Sequence, residues 1–485
     1  MAVGGVGADH CGVLVKVQYG RNTHIHTHKG ISLPEMFLRT VLHCLWIGSM
    51  TSWVRGLDFN FHDSRQIEVY LQSVSKNYST FTNLYSIGKS VQGRELWVLV
   101  LGKYPMEHKV GIPEFKYVGN MHGDEVVGRE MLLHLIDYLV KNYGADSTVT
   151  RLIDSSRLHV LPSMNPDGFE ASAPPDCVFS NGRYNRNNVD LNRNFPDTFS
   201  TAASSSVQPE TQAVMSWIQS ESFVLSANLH GGTVVASYPY DNSNGGSELV
   251  NGVSRSPDHD VYVHLAKTYS YNHTTMHTGT QCGSLTFPDG ITNGYQWYTL
   301  IGGMQDYNYV WGQCFEITLE LSCCKYPPAD QLADFWQENR AALLAYMQQV
   351  HLGVKGQVLD VDGNPIPSAV VEVQGRNNIC PYKTNKHGEY YRLLLPGTYT
   401  FVVTVPGREP MKKTLQIPNG PASFSALKYD FVFQSNSPTS DSVAAESCTT
   451  ANHSSNNAAA SLQAPHFAIL LALAGAAAMS GLVHS

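Results

Sequence analysis

None of the nine cysteines stands in CxxC spacing with another, which argues against a zinc ribbon and favours disulfides in an oxidising compartment. Basic residues are not in excess. Lys and Arg total 32 against 40 Asp and Glu, a formal charge of −8 that speaks against nucleic acid as a partner. The same balance suits cationic substrates, although spread over 485 residues it also serves as an ordinary soluble surface. Charged residues make up only 15% and apolar ones 42%, so a disordered chain is excluded and two or three packed domains are expected. No internal repeat is visible.

Both termini read as addresses. Residues 1–35 lack periodicity, and the run Val41–Ser49 follows a basic Arg39, with Val54 and Gly56 at small-residue cleavage positions. This predicts a signal peptide over 36–56 that begins at Met36, with the mature chain starting at Leu57. His24, His26 and His28 could chelate a metal but fall in the upstream segment 1–56. Seven cysteines follow Leu57, so at least one thiol stays free, and adjacent Cys323 and Cys324 are expected to reach different partners. Asn77, Asn272 and Asn452 head glycosylation triplets. At the far end, uncharged Phe467–Val483 is followed only by His484 and Ser485, with no basic stop-transfer cluster. Small residues, a short spacer and an apolar tail predict a GPI signal over 458–485, attached at Asn457 after a flexible stalk at 435–457. A transmembrane helix is the rival reading.

Between these ends the pattern changes once. Leu96–Leu101, Phe115–Val118, Leu158–Leu161, Phe223–Leu229 and Phe315–Leu321 read as strands, and Met131–Val140 as an amphipathic helix. Such alternation predicts an α/β domain over 57–350 with a mixed sheet, its site at the carboxyl ends of the strands. After His351, short strands at 354–359, 370–373, 388–395, 399–405 and 429–433 are separated by Gly and Pro turns. They predict a β-sandwich over 351–434.

His122 and Glu125 fall where a strand gives way to a helix, and could serve one ion or simply cap the helix. His230, directly after another apolar strand, completes two His and one Glu, a catalytic zinc set with a position left for water. Asp190 could accept the second N–H of a ligand histidine.

Six blocks then carry a resemblance. Gly119–Glu125, Pro162–Gly168, Asp190–Pro196, Asn228–Gly232, Gly302–Asn308 and Glu316–Pro327 resemble the regulatory branch of the metallocarboxypeptidases, from Leu57 to Val432, with a transthyretin-like sandwich at the end. The likeness extends to a GPI-anchored member of that branch. It implies one zinc per catalytic domain, held by His122, Glu125 and His230, with Glu320 as general base. Glu316 competes for that role because residues four apart on a strand face the same way, but Glu320 lies nearer the strand's carboxyl end. By the same resemblance Arg183 polarises the scissile carbonyl. Asn192 and Arg193 hold a terminal carboxylate and Tyr298 closes over it. Asp241 lines the side-chain pocket and Gln305 lies at its base, which favours C-terminal Arg or Lys. The expected whole is a monomeric, extracellular, GPI-anchored carboxypeptidase acting on peptides with basic C-termini. A catalytically silent binding protein and a hydrolase for non-peptide amides are the alternatives.

Overall fold

The computed structural model describes residues 57–177, 181–200, 206–246, 248–283, 285–418 and 420–434. The expected signal peptide, stalk, GPI tail, Asn452, Asn457 and Cys448 lie outside the described residues.

Eight strands form one mixed sheet: β1 Thr82–Lys89, β2 Glu95–Leu101, β3 Glu114–Gly119, β4 Arg157–Leu161, β5 Phe223–His230, β6 Thr233–Tyr238, β7 Ile291–Asn293 and β8 Phe315–Ser322. Their spatial order is β1-β2-β4-β3-β5-β8-β6-β7. The middle strands β4, β3, β5 and β8 run parallel to their neighbours within that group, β1 pairs antiparallel with β2, β2 with β4 and β6 with β8, and β7 joins β6 in parallel. Every residue of β3, β4 and β5 is buried, as expected for near-continuous apolar runs covered on both faces by helices. One cover is the helix α1, Val127–Asn142, which extends the expected Met131–Val140 by just over one turn at its start. Gly128 lets this helix approach β5 closely, since a Cβ there would strike Leu229. β1, β6 and β7 have no counterpart in the sequence reading.

The centre of the sheet is not purely apolar. Lys116 on β3 and Glu316 on β8 are completely buried and paired at 3.3 Å. Lys116 also donates to Asn308 at 2.6 Å, and Glu316 accepts from Ser226 at 2.7 Å and Asn228 at 2.9 Å on the intervening β5. One ion pair therefore stitches three neighbouring strands in a fixed register. Two disulfides, Cys177–Cys324 and Cys282–Cys323, tie down the loop after β8, so the adjacent cysteines do take different partners. Cys380 is also disulfide-bonded, and buried Cys314 is the free thiol among the described residues.

Beyond helix Leu332–Gln348 the chain forms the sandwich. One sheet joins Val354–Asp360 with Glu389–Arg392, Leu427–Lys428 and Phe431–Phe433; the other joins Val370–Val373, Gly397–Thr404 and Met411–Ile417. The last of these was absent from the sequence reading, because Lys412, Lys413 and Gln416 on an exposed edge dilute its apolar signal. The two domains pack against each other: Cys380, Tyr382 and Leu393 join the core of the α/β domain. His108 bridges Glu114 at 2.7 Å and Glu389 at 2.5 Å across the boundary. No helix among the described residues is long and apolar enough to cross a membrane.

Removing one member of the Lys116–Glu316 pair strands the other charge in the core. Glu316→Gln is therefore expected to cost about 3–5 kcal/mol in denaturant unfolding, and Lys116→Met combined with Glu316→Leu to recover much of that loss. A loss below about 1 kcal/mol for the single variant would contradict a stitching role.

Candidate active site

The parallel pairing of β3, β5 and β8 brings their carboxyl ends to one edge. Gly119 pairs with Leu229, and His230 with Glu320. His122 and Glu125 follow within six residues of the end of β3, on the turn that opens α1. Gly123 is required in that turn, because a Cβ would collide with the backbone of Gly168 and Phe169.

Here His122 Nδ1 lies 3.0 Å and His230 Nδ1 2.7 Å from Glu125 Oε2, and the two nitrogens stand 3.1 Å apart. All three residues are buried. His122 Nε2 faces Asp190 Oδ1 at 3.0 Å. An N–H donated there leaves the Nδ1 lone pair directed at Glu125 and His230. Burial opposes ionisation of Asp190, but the hydrogen bond and charge of His122, with Arg183, hold its carboxyl well below the ordinary range. Two imidazole lone pairs and a carboxylate converging in a buried space form a donor set suited to a divalent cation, and the two-His, one-Glu composition fits zinc. A second acidic cluster, Glu114, His159 and Glu221, has comparable spacing. There Arg157 stands 3.0 Å from Glu114 and 2.9 Å from Glu221, so its guanidinium already supplies the positive charge.

These residues open onto a cavity of about 210 Å³ whose lining includes Arg183, Asn192, Asp241, Tyr298, Glu320 and Lys325. Glu320 is 8% exposed and its Oε2 is buried with no hydrogen-bond partner. Burial, then the charge of Glu125, pushes its carboxyl well above the ordinary range. Glu316, the competitor on the same face, has both oxygens engaged by Lys116, Ser226 and Asn228 and lies outside the cavity lining. Arg183 donates to Asp190 at 2.9 and 3.2 Å and to Glu125 at 3.3 Å, which holds its guanidinium beside the triad.

Asn192 lines the cavity, and its Oδ1 accepts from the Met304 amide at 2.9 Å. Arg193, expected with Asn192 at the terminal carboxylate, is half-buried, donates to the Asn192 carbonyl at 2.8 Å and is not part of the cavity lining. Tyr298 is 44% exposed at the mouth. Asp241 is buried against Gly294, where a Cβ would overlap its carboxylate. It accepts from Gln305 Nε2 at 2.8 Å, and its backbone N–H donates to Asp306 at 2.9 Å. Gln305 thus stands behind Asp241 and is not part of the cavity lining, a correction to its expected place at the pocket's base. Burial raises the Asp241 carboxyl to about 7, with Arg193 opposing and Asp197 and Glu316 adding to the rise.

Sequence reasoning missed Lys325, whose Nζ lies 2.8 Å from Glu125 Oε1. It sits inside the block Glu316–Pro327, but a lysine after two cysteines carries no local sign of reaching back to Glu125. Asp306 was missed likewise. Asn77 and Asn272 are exposed at the ends of helices and are not part of the cavity lining.

Residues 67–342 match the family described as zinc carboxypeptidase, and residues 353–425 match the carboxypeptidase regulatory-like domain. The chain is 59% identical over 388 residues to carboxypeptidase M of Mus musculus, covering 80% of this chain and 87% of that protein. It is 45% identical over 424 residues to the carboxypeptidase N catalytic chain of Mus musculus, covering 82% and 90% respectively. Carboxypeptidase D of Anas platyrhynchos is 48% identical over 374 residues, which span 76% of this chain but 26% of that longer protein. With a mixed α/β sheet, a C-terminal sandwich and these matches, the chain belongs to the zinc carboxypeptidase family.

Proposed function

We propose that this chain releases single Arg or Lys residues from the C-termini of extracellular peptides, as a monomer held at the cell surface by a GPI anchor at Asn457. The observation that carries the specificity is Asp241, a buried carboxylate in the wall of the cavity that also holds Glu320 and the His122, Glu125, His230 set. A cationic side chain entering there gains a charge-assisted partner, whereas an apolar one leaves that carboxylate unpaired. Localisation rests on the apolar tail Phe467–Val483 and on the triplets at Asn77, Asn272 and Asn452.

In this reading the peptide's terminal carboxylate lies against Asn192 and Arg193, with Tyr298 closing the mouth. That arrangement limits the enzyme to the last bond. His122, Glu125 and His230 would hold the zinc ion, which when bound supplies the Lewis acidity that activates water and polarises a carbonyl. Asp190 keeps His122 in the tautomer that offers Nδ1. Glu320 takes a proton from the attacking water. Its Oε2 is buried without a hydrogen-bond partner and so is open to accept that proton, and the acid so formed can return it to the departing amine. Arg183 donates to the oxygen on which negative charge develops.

Two outcomes test this reading. With peptides ending in Arg, Glu320→Gln is expected to lower kcat by about 10²–10⁴-fold with little change in KM, and a zinc chelator to abolish release reversibly. Retained turnover in either case would remove Glu320 or the metal from the mechanism. The second outcome concerns pH. Asp241 at about 7 is ionised above that value and neutral below it. The preference for Arg over its neutral isostere citrulline should therefore fall about tenfold from pH 8 to pH 6, while Asp241→Asn shows a low, flat ratio. A pH-independent preference in the parent protein would place the basic-residue determinant elsewhere.

A further inference from the structure

Asp258 directly precedes helix His259–Asn272 yet makes no capping bond to it. Its buried carboxylate points instead across the domain boundary, where it meets three side chains of the sandwich. Arg376 donates to Oδ1 at 2.9 Å, Arg392 approaches the same oxygen at 3.5 Å, and Asn378 donates to Oδ2 at 3.2 Å. Arg392 is almost wholly buried, and Arg376 also clasps Asp260 through both terminal nitrogens at 2.7 and 2.8 Å. A bidentate arginine sharing two carboxylates is a rigid arrangement.

From the catalytic side the same carboxylate accepts from the Tyr309 hydroxyl at 2.7 Å, and Asn378 donates to that hydroxyl at 2.9 Å. Tyr309 lies near the end of the short helix Met304–Val310. The start of that helix carries Gln305 and Asp306, which grip the side chain and the backbone of Asp241. Tyr309 also packs on Tyr240, the residue before Asp241, with ring centroids 5.8 Å apart. A single helix of two turns thus connects the domain boundary to the specificity carboxylate, and both of its ends are held by buried polar contacts.

We propose that Arg376, Asn378 and Arg392 of the sandwich are positioning residues for Asp241, acting through Asp258 and Tyr309, so that the second domain sets how tightly the pocket holds a basic side chain. This rests on the reading of Asp241 given above. None of the five touches the cavity. Their effect is to fix the helix that orients Asp241, and it should appear in recognition of the side chain and not in the chemical step.

The test uses the full chain and peptides ending in Arg. Tyr309→Phe keeps the ring and removes the link to Asp258; it is expected to raise KM about 3- to 30-fold with kcat within about twofold. In an Asp241→Asn background the same change should add less than about twofold, because the two act on one interaction. Arg376→Gln should behave as Tyr309→Phe does, with Arg376→Lys partly restoring KM. Where hydrolysis is too slow, free arginine titrated by calorimetry against each variant gives the same comparison. An unchanged KM for Tyr309→Phe overturns the inference. So does a KM shift that persists at full size in the Asp241→Asn background, or a loss confined to kcat. If the parent releases no Arg from any peptide, the proposed function falls and this inference with it; if the parent is active and the variants do not differ from it, the inference alone falls.

Discussion

The site depends on three parallel strands ending in register. β3, β5 and β8 deliver His122 with Glu125, His230 and Glu320 to one edge, and a slip of one residue would turn His230 or Glu320 to the opposite face. The buried Lys116–Glu316 pair guards that register from within. A charge in the core is tolerated only where its partner meets it, so a mispaired strand would leave an ammonium or a carboxylate stranded. The same pair explains why Glu316 is not the catalytic acid-base candidate despite its chemistry and orientation. Its oxygens are committed to holding strands together.

A second theme is a surplus of acid around the pocket. Asp197 and Glu316 add to the raised proton affinity of buried Asp241, Asp241 and Asp197 add to that of buried Asp306, and Arg193 is the cation that opposes the rise at Asp241. Such a cluster is poorly neutralised on its own. A guanidinium or ammonium arriving with the substrate would complete it, which is the electrostatic ground of the proposed preference for a basic residue. The triad region is balanced differently. Glu125 is met by both histidines, Arg183 and Lys325, so its carboxyl stays ionised and suited to hold a cation.

Much of this was legible in the sequence because the informative residues lie near the carboxyl ends of strands. His122 and His230 sit just beyond and at the end of apolar strands, so position marked them, while Glu320 lies two residues before the end of its strand and was chosen over Glu316 by position together with the family resemblance. The change from α/β alternation to short strands separated by Gly and Pro turns after His351 was equally visible. Less was legible where an element is exposed or a contact is long-range. Met411–Ile417 hides behind surface lysines, and the reach of Lys325 to Glu125 spans 200 positions with no local trace. Gln305 was expected at the pocket's base, and its amide reaches Asp241 from behind the cavity lining. The clamp between Asp258, Tyr309 and the sandwich arginines likewise exists only once two domains meet.

The most direct measurement is release from four matched peptides that differ only in a C-terminal Arg, Lys, Leu or Glu, followed by mass spectrometry. The account predicts loss of one residue from the Arg and Lys peptides, no further loss once an apolar residue is exposed, and little from Leu or Glu. Preferential release of Leu would keep the carboxypeptidase chemistry and contradict the role given to Asp241. Cleavage at internal bonds would contradict the terminal-carboxylate clamp.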